Sequence, residues 1–337
     1  MPPMPAGLLS RSPEEGARLL ALSFLDQAAA ARPRLDDPAD AEALHDFRVG
    51  LRRLRSALKA YAAQLDGSVP KKLARRLKRL AGSTGPGRDT EVQIERVRDR
   101  VPHLSGHHRI GASWLLARLG ERKREAYGEM QEEVADEFDK VEKDLRARLS
   151  IYRAEIHLDA KADRPTLAEA TAEILYGQIA DFEQRLGKIG DAGDEGQAHE
   201  ARIRAKRVRY LLEPLVDEIP GAAPIVKRLK ALQDLLGDLH DAHVLEAELE
   251  QAVETAAAER ARKLLDLSLA DPPDANQIRA ERRRSREPGL IELARLNRAR
   301  RDRLFAELDA AWLAGKAEPF LHEVEGLGEE MVKAAEA

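Results

Sequence analysis

Two stretches of this 337-residue chain carry the same ordered set of basic side chains. HDFRVGLRRLRSALKAY begins at His45, and HEARIRAKRVRYLLEPL begins at His199; they align without a gap at an offset of 154 residues. His45 falls opposite His199, Arg48 opposite Arg202, Arg52 opposite Lys206, Arg53 opposite Arg207 and Arg55 opposite Arg209. Arginine offers planar, bidentate hydrogen bonding to an oxyanion, lysine a point charge, and histidine a donor whose charge titrates near neutrality. A histidine followed by four aligned cations, twice in register, points to a duplicated site for a negatively charged ligand.

The repetition continues downstream. LKRLAGSTGPGRDTEV (77–92) aligns with LKALQDLLGDLHDAHV (229–244), pairing Gly85 with Gly237, Asp89 with Asp241 and Val92 with Val244, at an offset of 152. Two blocks in the same order at nearly one period imply tandem duplication and a fold with pseudo-twofold symmetry.

The elements that must position these side chains read as helices. Ala, Leu, Arg and Glu dominate the composition, and no run of alternating β-branched residues reads as a strand. Periodicity and Pro positions predict helices over 11–31, 39–65, 69–82, 87–100, 108–127 and 130–152 in the first half. In the second they predict 165–188, 194–218, 222–236, 238–269, 289–314 and 317–335. At 100° per residue, His45, Arg48, Arg52, Arg55 and Lys59 lie within an arc of about 80°. Phe47, Leu51, Leu54 and Leu58 lie opposite, so a basic stripe is backed by an apolar one. His199, Arg202, Lys206 and Arg209 repeat the basic face, with Glu213 at the place of Lys59 and a less regular apolar side begun by Ile203 and Tyr210. The 69–82 helix adds Lys71, Lys72, Arg75, Arg76, Lys78 and Arg79, and its counterpart adds Lys227, Arg228 and Lys230. Like charges at these spacings destabilise a helix by a few tenths of a kcal/mol per pair, a cost that acids on neighbouring helices or an anionic ligand would offset.

Net charge is −4, but its distribution is uneven. Residues 45–80 hold 11 Lys/Arg against 2 Asp/Glu and residues 199–230 hold 8 against 4, while the remainder holds 37 against 54. Positive charge is therefore concentrated on the repeats. With no cysteine, disulfides and thiolate metal sites are excluded. The N-terminal segment lacks the charged and apolar regions of a signal peptide, and no apolar run approaches a membrane span, so a soluble, cytoplasmic protein without membrane association is expected.

His-x-x-Arg-Val-x-x-Arg-Arg-x-Arg from His45, its second copy, and the Leu-Gly-x-x-x-Asp-x-x-Val block after the second copy resemble the CHAD family, the conserved histidine α-helical domain. The resemblance covers roughly 10–337, as one domain with halves at about 10–160 and 161–337. It implies an all-α fold of two pseudo-symmetric helical bundles facing one another across a basic groove or pore. It also implies binding of inorganic polyphosphate, often on polyphosphate granules. Carried over residue by residue, the implied ligand set is His45, Arg48, Arg52, Arg53, Arg55, His199, Arg202, Lys206, Arg207 and Arg209, with Lys78, Arg79 and Arg88 on the following helices. Lys59, Arg75, Lys227 and Lys230 complete the candidates from the basic faces. The first repeat departs from the family pattern, with GSTGPGRD where LLGxLRD is expected, so a broken helix junction is expected there. Lys206 stands where arginine is expected, keeping charge but losing the bidentate fork. No ExExK-type strand motif of a triphosphate-processing domain is present, which leaves a stand-alone binding module.

The 271–288 segment, DPPDANQIRAERRRSREP, reads as an insertion forming a mobile loop or a short solvated helix. Asp89 and Asp241 are expected to pair with arginines of the basic helices. The His240/His243 spacing would permit a metal, but it belongs to the Gly-Asp-Val block and no metal or cofactor is expected. The glycine-rich 82–89 stretch lacks the Gly-Lys-Ser/Thr end of a P-loop, so no enzyme is expected. Nucleic acid or another polyanion is the alternative ligand, disfavoured by the scarcity of aromatics on the basic faces.

Overall fold

The computed structural model describes residues 4–336 apart from 38, 39, 41, 66 and 152–164; the side chains at 132, 135 and 136 also lie outside the described set. The expected boundary between halves near 160 falls outside the described residues, as do residues 39 and 152 at the ends of two expected helices. The described chain is all-α, without a strand. Its helices are α1 (Pro13–Ala31), α2 (Ala43–Ala60), α3 (Lys71–Ser83), α4 (Gly85–Arg98), α5 (Arg109–Leu149), α6 (Leu167–Leu186), α7 (Glu195–Leu212), α8 (Ala222–Leu269), α9 (Ala275–Arg283), α10 (Glu287–Trp312) and α11 (Glu318–Glu336).

Local chemistry sets several of these starts. The Ser12 side chain accepts from the Glu15 N–H, and Pro13 opens α1. Thr166 and Glu169 form a reciprocal capping box at α6. Asp274 caps α9 through the N–H groups of Asn276 and Gln277. The junction expected to break does so. Helix α3 stops at Ser83 and α4 restarts at Gly85 with Pro86 in its first turn, whereas α8 runs unbroken through the aligned stretch.

Two expected breaks are absent. Helix α5 continues through Gly128, and α8 continues through Gly237. A helical glycine costs about 1 kcal/mol against alanine. Burying one Leu or Phe side chain returns roughly 1.5–3 kcal/mol. Met130, Val134 and Phe138 follow Gly128, and Leu236 and Leu239 flank Gly237, all at 2% exposure or less. Packing next to each glycine therefore outweighs its local preference.

Helix α1 packs on α2 as α6 packs on α7, α4 packs on α5 as α8 packs on α10, and α2 meets α7 across the halves. The buried apolar residues form two clusters, and both draw on both halves. The larger joins Leu8, Phe24, Phe47, Leu77 and Phe138 to Phe182, Leu212, Leu232, Phe320 and Met331. The smaller joins Ile94, Val97, Leu115 and Leu119 to Leu245, Leu249, Leu290 and Leu293. Polar contacts repeat the crossing. The N–H groups of Leu8 and Leu9 donate to the Glu218 carboxylate at 2.9 and 3.0 Å, and the fully buried Tyr61 hydroxyl lies 2.8 Å from Thr171 Oγ1. None of the described helices is long and apolar enough to cross a membrane.

The start of α5 touches the start of α10 through a pair of glycines. A Cβ on Gly111 would collide with the Arg286 carbonyl oxygen, and one on Gly289 with the His108 carbonyl oxygen. Neither clash can be relieved by a rotamer, because the obstacle is backbone. Gly111→Ala or Gly289→Ala is therefore expected to lower stability by about 1–3 kcal/mol. Thermal denaturation checks this; an unchanged midpoint in both variants would refute the close crossing.

Candidate anion-binding site

The two histidine helices bury their apolar stripes and leave their cations to meet. On α2, Phe47, Leu51 and Leu54 are fully buried. On α7 the buried stripe is Ala198, Ala201, Ala205, Val208 and Leu212, whereas Ile203, expected to begin it, is only half-buried. Alanines at these positions present a narrow face, which lets α7 pack closely while its long basic side chains turn aside.

A cluster of cations forms where α2 meets α7. Arg48 and Arg52 come from α2; Arg202, Lys206 and Arg209 come from α7. Arg52 lies over the Tyr210 ring at 5.5 Å from its centroid, and Arg209 over the same ring at 4.6 Å. Burial, first of all, holds Arg48 and Arg202 below the usual guanidinium range; Arg52 adds repulsion to both, while Asp89 opposes it. Lys206 is pushed down to about 7, by burial and then by Arg202, Arg52 and Arg209, with Asp241 opposing. The Lys206 ammonium is therefore poorly compensated.

Polar atoms of this cluster are also without partners. Arg52 Nε, Arg202 Nε, His199 Nδ1, His240 Nδ1 and the Tyr210 hydroxyl are buried and make no hydrogen bond among the described residues. The His199 and His240 rings lie 4.7 Å apart, centroid to centroid. His240 is lowered to about 4 by burial and by Arg202, His199, Lys206 and His243. Buried donors without acceptors, beside cations with too few anions, suit a ligand bearing several negatively charged oxygens.

The glycine of the downstream block sits against this cluster in both repeats. A Cβ on Gly85 would lie 3.9 Å from Arg48 Nη1, and one on Gly237 would lie 3.7 Å from Arg202 Nε. A longer side chain at either place would enter the arginine's space. In the first repeat the broken junction also exposes an acceptor: Arg48 Nη1 donates to the Thr84 carbonyl and lies 3.1 Å from Thr84 Oγ1.

Within the cluster Arg209 is itself held by Gln233 at 2.8 Å and Glu213 at 3.4 Å, and the other sequence candidates sit elsewhere or have partners. His45 is exposed in the first turn of α2. Arg53 donates to Gln27 at 3.1 Å and to Glu213 at 2.8 Å, tying α2 to the end of α7. Arg55 and Lys59 form a second group with Arg204 and Arg207; burial and these like charges lower Lys59. Asp181 compensates the group, 2.5 Å from Arg204 and 3.9 Å from Arg207. On α3, Arg79 pairs with Glu133 and Glu137 of α5, whereas Arg75 and Lys78 are exposed without an acidic partner among the described residues. Arg88 pairs with Glu91 at 3.1 Å, Lys230 with Asp234 at 2.7 Å, and Lys227 is exposed.

The two aspartates of the downstream block do not pair with the basic helices as expected. Asp241 is drawn 3.9 Å from Arg96 of α4, and burial raises its pKa. Asp89 is exposed and acts on Arg48 and Arg202 only through its field. His243 is held by the Ala192 carbonyl at 2.8 Å. Sequence reasoning missed His240 and Tyr210 as members of the cluster. A signal for His240 was available: at the offset of 152 it occupies the place of Arg88, already a candidate.

A family model described as the CHAD domain matches residues 20–250, a span that includes α2, α7 and the paired glycines. The crystal structure of the CHAD domain from the plant Ricinus communis is similar, with a TM-score of 0.59 at 22% identity, over 80% of this chain and 91% of that one. PptA from Streptomyces chartreusis is also similar, with a TM-score of 0.54 at 16% identity, over 88% of this chain and 99% of that one. At these identities the likeness is one of fold. No curated protein matches the chain.

Proposed function

We propose, from the premise that this chain belongs to the CHAD domain family, that it binds inorganic polyphosphate between α2 and α7. One observation carries the reading: Arg48, Arg52, Arg202, Lys206 and Arg209 converge around buried donors that lack acceptors. Polyphosphate has about one charge per phosphate and no bases to read, so it asks for spaced cations and hydrogen-bond donors. The cluster offers both. The exposed cations Arg75 and Lys78 of α3 and Lys227 of α8 extend the basic surface that a long chain would follow. On this reading the protein is a binding module without a chemical step, and its ligand would bring it to polyphosphate granules.

Calorimetric titration with long-chain polyphosphate tests the proposal. Micromolar or tighter affinity at low salt is expected, with log affinity falling linearly as log salt rises, since binding releases condensed counterions. Single-stranded RNA at equal phosphate concentration is expected to compete poorly, because the cluster's Tyr210 ring is buried with Arg52 and Arg209 over it, and its His199 and His240 rings lie against one another. Equal competition by RNA would turn the assignment to a general polyanion site. Release of phosphate on incubation with divalent metal would overturn the absence of a chemical step.

A further inference from the structure

We infer that the arm formed by the end of α8 and by α9 is a second polyphosphate-contacting surface, which makes affinity depend on chain length. This rests on the function proposed above. The expected insertion at 271–288 resolves into the short helix α9 folded back on α8. Its nine residues contain one acid, Glu281, and that acid points inward: it is buried and pairs with Lys263 of α8 at 3.0 Å. Its arginines point outward. Arg279, Arg282 and Arg283, with Arg284 just beyond, are all exposed and have no acidic partner among the described residues. Asp274 is occupied in capping α9 and in holding the Gln277 side chain.

This arrangement differs from an ordinary solvated charged face. Two neighbouring cations are compensated, Arg260 by Glu287 at 3.2 Å and Arg286 by Glu259 at 2.7 Å, whereas the exposed Arg262 of α8 also lacks an acidic partner among the described residues. The four arginines are not, although Arg279 repels Arg282 and Arg283 at helical spacing. Three of them, with Asn276, line a shallow concave pocket. Convergent guanidinium groups around a depression fit phosphate oxygens better than they fit bulk water. The arm lies beyond residue 250, where the family match ends.

The long helix α8 sets the relation between the two surfaces. It carries His240 and Asp241 at the central cluster and Lys263 under the arm. Twenty-two residues of unbroken helix separate Asp241 from Lys263, about 33 Å at 1.5 Å per residue. A short oligophosphate held at the centre cannot reach the arm. A long chain can, and its second contact is then intramolecular, favoured by effective concentration.

The test compares tripolyphosphate with long-chain polyphosphate on the full-length protein and on a variant carrying Arg279→Gln, Arg283→Gln and Arg284→Gln. All three positions are exposed, and an unchanged melting midpoint verifies folding. The variant is expected to lose about tenfold in affinity for the long chain and less than about twofold for tripolyphosphate. Equal affinities in parent and variant for both ligands would overturn the arm as a second surface. An equal loss on both ligands would also overturn it, by making the arm part of the central site. If the parent itself bound neither ligand, the proposed function would fail first and the arm with it.

Discussion

Replacing Arg52 and Arg202 together by glutamine is expected to weaken polyphosphate binding by about a hundredfold, since each charge-assisted hydrogen bond contributes roughly 1.5–3 kcal/mol. The pair is chosen because the two act on one another. Arg52 comes from α2 and Arg202 from α7, and each keeps a buried Nε without a partner. Arg52 is also among the charges that hold Arg202 down. Their removal relieves repulsion within the folded protein, so the melting midpoint should hold or rise while affinity falls. The slope of log affinity against log salt should become shallower by about two, one for each lost phosphate contact. The informative control is Arg53→Met. Arg53 belongs to the same sequence motif but is engaged by Gln27 and Glu213. It should lower the midpoint and leave the affinity of the folded protein within about twofold. If the double variant bound as the parent does, or if Arg53→Met alone abolished binding, the central assignment would be wrong.

The second large effect concerns protons. Lys206 is held at about 7 instead of its ordinary 10.5. Near neutral pH part of the population carries it uncharged, and a polyanion would favour the charged form. Binding should therefore take up protons and tighten as pH falls from 8 to 6, and Lys206→Met should flatten that dependence. His240, lowered to about 4, would move in the same direction on binding. Stability changes the opposite way. The unfolded chain keeps Lys206 charged up to about 10.5, so between 7 and 10.5 the unfolded state binds more protons and stability rises with pH. Below 7 both states are charged, and the folded state bears the full penalty of the buried ammonium. Lys206→Met is thus expected to stabilise the protein by on the order of 2 kcal/mol at pH 6, and by progressively less toward pH 10. Melting curves across this range, together with calorimetry in buffers of different ionisation enthalpy, check both halves of the argument. A variant that lost stability at pH 6 would contradict it.

Much of this was legible in the sequence, and the parts that were not share a cause. The apolar stripe Phe47, Leu51, Leu54 is buried as helical spacing predicts, and the break near Gly85 falls where the glycine–proline run places it. The stripe of α2 follows from the sequence because spacing fixes which side chains share a face. Readings that depend on a distant partner do not. Arg53 carries the same local signature as Arg52, but its fate is decided by Glu213, 160 residues away. Arg96 was passed over, yet it pairs with Asp238, 142 residues away, and draws Asp241 from the role expected for it. Gly128 and Gly237 look like breaks until the buried residues around them are known. His240 resembled half of a metal motif with His243, while its ring in fact meets His199.

The sharing of both apolar clusters between the halves bears on how the chain is made. The larger cluster includes Leu8 and Met331, so it cannot close until the chain through Met331 has left the ribosome. Neither apolar cluster is built from one repeat alone. Until the second half has been made, the face of α2 that meets α7, with its cations Arg48 and Arg52, has no partner. Closure is then a late event that brings together residues of very large sequence separation, the circumstance in which folding is slow and the nascent chain depends most on protection from aggregation.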